Sequence, residues 1–272
     1  MRALVVTVAE ADSELAADLL WQMGVAAVEE RGFDADSIEL WTTVGDDDAA
    51  VERLAGTHPE WAWRTEPVDL EPVEAWRDHA RPVVVADSVM TIPAWQEDAV
   101  VPNGVVPVRI EPAGSFGLGD HPTTRLALEH LVSEVAERPG CRIIDVGCGS
   151  GVLSIAGVLL GASEARAVDV STAAVEAAHG NVERNGVGER VRVDDAPAAL
   201  LAGDYDVVVA NILAPVLVSL ADDLRRLCAP GGRVIISGIL EGRHDHVLAA
   251  LEPLRPVRTT GLDGWAAVTL EG

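Results

Sequence analysis

Three short segments of this 272-residue chain hold residues whose types and spacing suit chemistry. The strongest is Asp145-Val-Gly147-Cys-Gly149-Ser-Gly151. Its glycines are spaced G-x-G-x-G; a dinucleotide fingerprint needs a further glycine at 152, where the chain has Val152. Glycine allows a sharp turn and a close backbone approach to a ligand that a Cβ would obstruct. Asp169 follows Gly147 by 22 residues, a spacing at which a carboxylate can accept hydrogen bonds from ribose hydroxyls. Asp145, the glycines and Asp169 together point to S-adenosylmethionine as cofactor and away from a nicotinamide dinucleotide. The bland alternative is a tight turn plus a surface aspartate.

The second segment is Val209-Ala-Asn211-Ile-Leu-Ala-Pro215. An asparagine offers both a carbonyl acceptor and an amide donor, and the acceptor can orient the N–H of an attacking amine. It can equally cap a turn before Pro215. The third segment is Gly114-Ser-Phe-Gly-Leu-Gly-Asp-His-Pro-Thr-Thr124. Its glycines make a loop and Pro122 pre-sets a helix start. The free N–H groups of that first turn, with Thr123 and Thr124, form an anion site suited to the carboxylate of a methionyl group. An ordinary loop with a polar cap is the alternative. His121 reads as a proton relay or as a loop-packing residue. Asp120 reads as a helix cap or as a carboxylate facing an incoming cationic amine. Asp194 and Asp195 offer an adenine contact or a solvated turn. The remaining histidines (His58, His79, His130, His179, His244 and His246) have no ligand spacing, so no metal is expected.

Regular alternation of helix and strand must position these segments. Thr123 to Val135 reads as helix, Cys141 to Val146 as strand and Leu153 to Leu160 as helix. Strand Ala165 to Val170, helix Ala173 to Arg184 and strand Val191 to Val193 follow. Next come strand Tyr205 to Ala210, helix Val216 to Leu227 and strand Arg233 to Ser237 after the Pro230-Gly231-Gly232 turn. Helix His244 to Leu251 and strands near Val257 and over Trp265 to Leu270 finish the chain. This beat predicts a parallel sheet covered on both faces, with ligands at the carboxyl ends of its strands. The glycine segment, Asp169 and Asn211 all fall at such ends.

The front of the chain is different. Ala3 to Val8, Glu14 to Met23, Ala26 to Glu30, Ile38 to Thr43, a helix opening at Asp46 to Asp48 and running through Gly56, and Trp61 to Val68 give βαββαβ, the ferredoxin-like unit. It has no glycine-rich loop and no cluster of cysteines or histidines. Residues 1–73 hold 17 acidic and four basic residues. That charge suits recognition of something basic, or merely a solvated domain. Residues 69–113 are rich in proline and read as a linker running into a hairpin.

Composition bounds the function. The chain is 49% apolar and 24% charged, enough to fill a core. Its formal net charge is −24, and every basic residue is arginine. Such a field repels nucleic-acid backbones, so direct nucleic-acid binding is not expected. No apolar run approaches the ~20 residues of a bilayer-crossing helix, and the first residues lack a signal-peptide pattern. The three cysteines make neither a paired nor a zinc spacing. A soluble cytoplasmic protein with reduced thiols is expected.

The glycine motif, Asn211-Ile-Leu-Ala and above all Phe116-Gly-x-Gly-x-His-Pro-Thr-Thr resemble the PrmA methyltransferases, which modify ribosomal protein L11. Glu74-Ala-Trp76-Arg, Ile92-Pro-Ala-Trp95 and the front domain also have counterparts there, so the resemblance spans nearly the whole chain. Leu118 and Asp120 stand where the family usually shows threonines. The resemblance implies an α/β fold, a doubly wound Rossmann-like methyltransferase sheet with a small N-terminal ferredoxin-like α+β domain. It divides the chain into a substrate-recognition domain (1–70), a linker and hairpin (71–110) and a methyltransferase domain (111–272). It implies methyl transfer from S-adenosylmethionine to lysine and α-amino nitrogens of a basic ribosomal protein by a monomeric enzyme. Thr124, Gly147, Asp169 and Asn211 match the family's cofactor contacts, and Phe116 and Gly149 join them as candidates. Asn211, Asp120 and His121 are the candidate catalytic residues. Two alternatives remain: a methyltransferase of this fold acting on another protein or small-molecule amine, and a non-catalytic cofactor-binding adaptor.

Overall fold

Short runs of valine, isoleucine and alanine alternate their side chains between two cores, one on each face of a seven-stranded sheet. The computed structural model describes residues 2–9, 12–22, 28–33, 37–44, 58–67, 80–112 and 117–272. Its contacts divide the chain into two units, Met1–His79 and Ala80–Gly272.

The first unit holds β1 (Arg2–Ala9), α1 (Ser13–Gln22), β2 (Val28–Gly32), β3 (Ser37–Val44) and β4 (Ala62–Pro67). The strands form one antiparallel sheet in the order β2-β3-β1-β4. Leu4, Val6 and Val8 alternate onto one face, where they pack with Leu40, Trp61 and with Ala16 and Leu20 of α1. On the other face Arg31 lies 4.1 Å over the Trp41 ring, and Glu39 accepts from Arg64 at 2.7 Å and from Trp41 Nε1 at 2.9 Å. The helix expected over residues 46–56 and the Glu74-Ala-Trp76 segment lie outside the described residues.

The second unit opens with β5 (Val83–Val85), β6 (Val89–Pro93) and β7 (Val106–Ile110), a three-stranded sheet in which β7 runs parallel to β6. The main run follows: α2 (Pro122–Glu137), β8 (Arg142–Val146), α3 (Val152–Leu160), β9 (Glu164–Val168), α4 (Thr172–Arg184) and β10 (Val191–Asp194). Then come β11 (Tyr205–Asn211), α5 (Ala214–Ser219), α6 (Ala221–Leu227), β12 (Cys228–Leu240), α7 (Asp245–Ala250), β13 (Arg255–Leu262) and β14 (Trp265–Glu271). The sheet order is β10-β9-β8-β11-β12-β14-β13. Ile143, Val207, Val209 and Ile235 face α2, α3 and α4, and Val85, Val89, Val108 and Ile110 join that core. Ile144, Val208 and Ile236 face the other way, onto Leu217, Leu224 and Val247 of α5, α6 and α7.

Three details differ from the sequence expectation. The sheet is mixed, because β14 runs antiparallel to both its neighbours. Asp263 and Gly264, with φ of 51° and 80°, turn the chain directly back after β13, and so short a turn allows only an antiparallel return. The helix expected over Val216 to Leu227 is two helices that meet at Leu220 (φ −98°, ψ 5°), and the first begins earlier, with Pro215 in its opening turn. Strand β12 starts at Cys228, ahead of the expected turn; Pro230-Gly231-Gly232 is a register shift between Tyr205↔Cys228 and Val207↔Arg233.

Candidate active site

The strand order reverses at β8, whose neighbours are β9 on one side and β11 on the other. Chains that diverge from such a point leave a crevice beyond the carboxyl ends of the strands. Gly147 leaves β8 there with φ of 74°, and a Cβ on it would stand 2.4 Å from Cγ2 of Ile212, the residue after Asn211. Only glycine lets the end of β8 approach the end of β11 so closely.

The loop is held from both sides. Gly147 N–H and Cys148 N–H donate to Val168 O at 2.9 and 3.0 Å, tying it to the end of β9. Asp169 Oδ2 accepts Gly149 N–H at 2.9 Å, while its Oδ1 accepts Ser171 N–H at 2.9 Å. Each oxygen keeps a further lone pair, so Asp169 can organise the loop and still receive hydroxyl donors. Beside it Val170 is 83% exposed. An open apolar side chain next to a hydroxyl acceptor suits a flat nucleobase, and its only signal in the sequence is an apolar residue directly after the aspartate at the end of a strand.

Asp145 is fully buried. Its Oδ2 accepts Ser154 N–H at 3.2 Å and Ser154 Oγ–H at 2.9 Å, and its Oδ1 has no partner. Burial pushes its pKa up to about 7, against the hydrogen bonds from Ser154. Burial also raises the Cys148 thiol, with the Asp145 and Asp169 carboxylates adding to the effect, so Cys148 stays a neutral packing group.

Asn211 ends β11 with its amide pinned on one side. Its Nδ2 donates to Thr124 Oγ1 at 3.3 Å, and its Oδ1 is buried without a partner. Thr124 is itself fully buried in the first turn of α2, and that turn is docked on β12 by Ser237 Oγ–H donating to Thr123 O at 2.9 Å. The first-turn donors are not all free, as the sequence reading had them: His121 is the helix N-cap, and its Nδ1 accepts Thr123 N–H at 3.3 Å and meets Thr123 Oγ1 at 2.8 Å. An acceptor Nδ1 means a neutral imidazole, in line with the lowering of its pKa by burial, which the neighbouring Asp120 opposes. The His121 ring also packs edge-on against Trp265 at 5.4 Å. Asp120 is exposed and supplies no cap. Gly114, Ser115 and Phe116 lie outside the described residues.

The structure therefore brings Gly147, Gly149, Asp169, Thr124 and Asn211 to one end of one sheet. Asp194 is committed elsewhere: it accepts Arg166 Nε at 3.0 Å and Ala196 N–H at 3.2 Å. Among the described residues no three His, Cys, Asp or Glu side chains group to hold a metal ion. A glycine cradle, a hydroxyl-accepting carboxylate and an orphaned carbonyl acceptor fit S-adenosylmethionine, which carries hydroxyls, ammonium and carboxylate groups around its sulfonium.

The strand order and this loop define a Rossmann-like methyltransferase fold. The family model described as Ribosomal protein L11 methyltransferase (PrmA) matches residues 41–271, and the chain belongs to that family. A ribosomal protein L11 methyltransferase of Symbiobacterium thermophilum is 42% identical over 196 residues, 71% of this chain; the match spans 63% of that relative's length. Another, from Ralstonia pickettii, is 34% identical and aligns over 98% of this chain and 97% of its own length. A crystal structure of ribosomal protein L11 methylase from Lactobacillus delbrueckii subsp. bulgaricus superposes with a TM-score of 0.65 at 28% identity, covering 71% of this chain and 98% of that one.

Proposed function

We propose that this protein transfers methyl groups from S-adenosylmethionine to amine nitrogens of ribosomal protein L11, both lysine side chains and the α-amino group. The observation that carries the reading is the buried, unpartnered Asn211 Oδ1 at the strand end that faces the glycine loop. Family membership supports the substrate. In this reading the cofactor contacts are Gly147, Gly149, Asp169, Thr124 and Asn211, with Phe116, outside the described residues, included on the sequence motif alone.

When bound, S-adenosylmethionine supplies an already activated methyl group, so transfer needs in-line placement more than added chemical power. Asn211 Oδ1 accepts an N–H of the attacking amine and aims its lone pair. A lysine amine, with an ordinary pKa of about 10.4, must first lose a proton, and desolvation at the site lowers that pKa. His121, neutral and engaged with Thr123, holds the helix start in place; a proton-relay role would use its other ring nitrogen. Asp120 attracts the cationic amine before it is deprotonated.

For the front unit we propose a ferredoxin-like recognition domain over 1–70; β5 to β7, expected as part of a linker and hairpin (71–110), instead form a three-stranded sheet with β7 parallel to β6, and Val85, Val89, Val108 and Ile110 share the core of the second unit. The strand order β2-β3-β1-β4 and the placement of α1 after β1 support the ferredoxin-like reading. The excess of acidic residues suits a basic partner. No helix among the described residues is long and apolar enough to cross a membrane, and we place the enzyme, as a monomer, in the cytoplasm.

Incubation of the protein with L11 and S-adenosylmethionine, followed by mass spectrometry of L11, tests the proposal. Successive methyl increments on lysines and the N-terminus are expected. An L11 that stays unmodified while another amine is methylated points to the alternative substrate. Cofactor binding with no turnover on any amine points to an adaptor.

A further inference from the structure

Asn181 in the last turn of α4 and Asn185, its C-cap one turn on, reach the edge of β7 at Arg109 and at Glu111, the residue that follows the strand. Asn185 Oδ1 accepts Arg109 N–H at 2.9 Å and its Nδ2 donates to Arg109 O at 2.7 Å. Asn181 Oδ1 accepts Glu111 N–H at 2.9 Å and its Nδ2 donates to Glu111 O at 2.9 Å. Four helical residues rise about 6 Å and two strand residues about 6.6 Å, so the two amides match alternate residues of the strand. They act as a surrogate strand on the edge that β6 does not pair.

Asn181 does one thing more. Its second Nδ2 hydrogen goes to Ser150 O at 3.0 Å, inside the glycine loop, and Arg184 donates to its Oδ1 at 2.5 Å. All four hydrogen-bonding positions of the amide are thereby filled. Ser150 Oγ–H in turn donates to Gly117 O at 2.5 Å. Asn181 and Ser150 are both completely buried. One amide thus ties the end of β7, from which the chain runs on toward His121 and Thr124, to the loop that carries Gly147 and Gly149.

We propose that Asn181 is a positioning residue for the cofactor site: through Glu111 and Ser150 it sets the spacing between the segment leading to Thr124 and the glycine loop. This rests on the reading of that site as an S-adenosylmethionine site. Asn185 is the built-in control, because it makes the same pairing to β7 without touching the loop.

The test is calorimetric titration of S-adenosylhomocysteine into the full chain, with melting temperatures recorded in parallel. Asn185→Ala strips Arg109 of its amide partner and Asn181→Ala strips Glu111, just past β7, so a purely structural ladder predicts equal effects on affinity. The proposal predicts that Kd rises roughly tenfold in Asn181→Ala and stays within about twofold of wild type in Asn185→Ala. Ser150→Ala cuts the tie to Gly117 from the other side. It should raise Kd in the same direction, and it carries the test if Asn181→Ala does not fold. Equal losses in the two asparagine variants, or an unchanged affinity in Ser150→Ala, overturn the proposal. A wild-type chain that does not bind S-adenosylhomocysteine overturns the cofactor reading instead.

Discussion

Asn211 donates its side-chain N–H to Thr124 Oγ1 across 87 residues of sequence, and this bond leaves the amide oxygen a buried acceptor with no partner of its own at the end of β11. The start of α2 and the end of β11 thus fix the direction of a single carbonyl. Asn211→Ala removes that carbonyl and should lower kcat on L11 by roughly 10²-fold, the scale of losing one preorganised dipole. Thr124→Val keeps the shape but frees the amide to rotate, and a smaller loss is expected. Steady-state methylation kinetics check both; a kcat unchanged in Asn211→Ala removes the residue from the chemistry.

Asp169 organises the loop through Gly149 and Ser171, and the proposed function gives it a second duty, accepting cofactor hydroxyls. Asp169→Ala should weaken S-adenosylhomocysteine binding by about 1.5–3 kcal/mol, the range for hydrogen bonds to a charged group. Calorimetry at one pH and salt concentration measures it, and wild-type affinity in the variant excludes the ribose contact.

Asp120 is exposed and does not cap α2, which His121 caps, and the proposed function uses it for substrate capture. Asp120→Asn should raise KM for L11 while kcat holds or increases, the pattern of lost ground-state binding. A fall in kcat with KM unaltered would mark it as a base instead.

Two buried groups give the protein opposed pH dependences. His130 lies between Thr269 Oγ1 and Thr260 Oγ1, each at 2.7 Å, and burial, reinforced by Arg258, lowers its pKa to about 4. The unfolded chain takes up this proton first, so the stability it contributes is complete above its ordinary value of 6.5 and is lost as pH falls toward 4. Asp145, raised from 3.8 to about 7, does the reverse: its contribution is complete at low pH and is lost as pH rises through 7. Melting temperatures should therefore decline less steeply on acidification in His130→Gln than in wild type. Asp145→Asn should gain on wild type as pH rises from about 4 to about 7, and hold that gain above it. Differences that stay flat with pH contradict the assignment.

The cofactor motifs all lie in the second unit, and the front unit, 79 of the 272 residues, holds more than half of the net negative charge. A chain beginning at Ala80 is expected to bind S-adenosylhomocysteine and to lose methylation of intact L11. Raising salt to about 0.5 M should increase KM for L11 in the full chain, because exposed charges are then screened within a few ångströms. Full activity of the shortened chain on L11 would take recognition away from the front unit.

Local chemistry made much of this protein legible before any folding. Short apolar runs bounded by helix and turn signals place the strands β8 to β11 within two residues, most clearly β8 and β11, because a strand buried on both faces leaves a near-continuous apolar run. Glycine at 147 and 149 and aspartate at 169 announced a nucleotide-type loop, since few other residues tolerate those turns or supply that acceptor. The hairpin reversal of β14 was hidden, because the direction of a strand is set by the turn before it and by the neighbour it finds. That His121 caps α2 was equally hidden, as was the filling of all four positions on Asn181 by residues as distant as Glu111. The orphaned oxygen of Asn211 belongs with these. Its residue type and place at a strand end were readable from sequence, but its emptiness exists only once Thr124 has taken the other half of the amide. Spacing along a chain records which groups are near in sequence; which hydrogen bonds are already spent, and which are left for a ligand, is decided only when distant segments pack together.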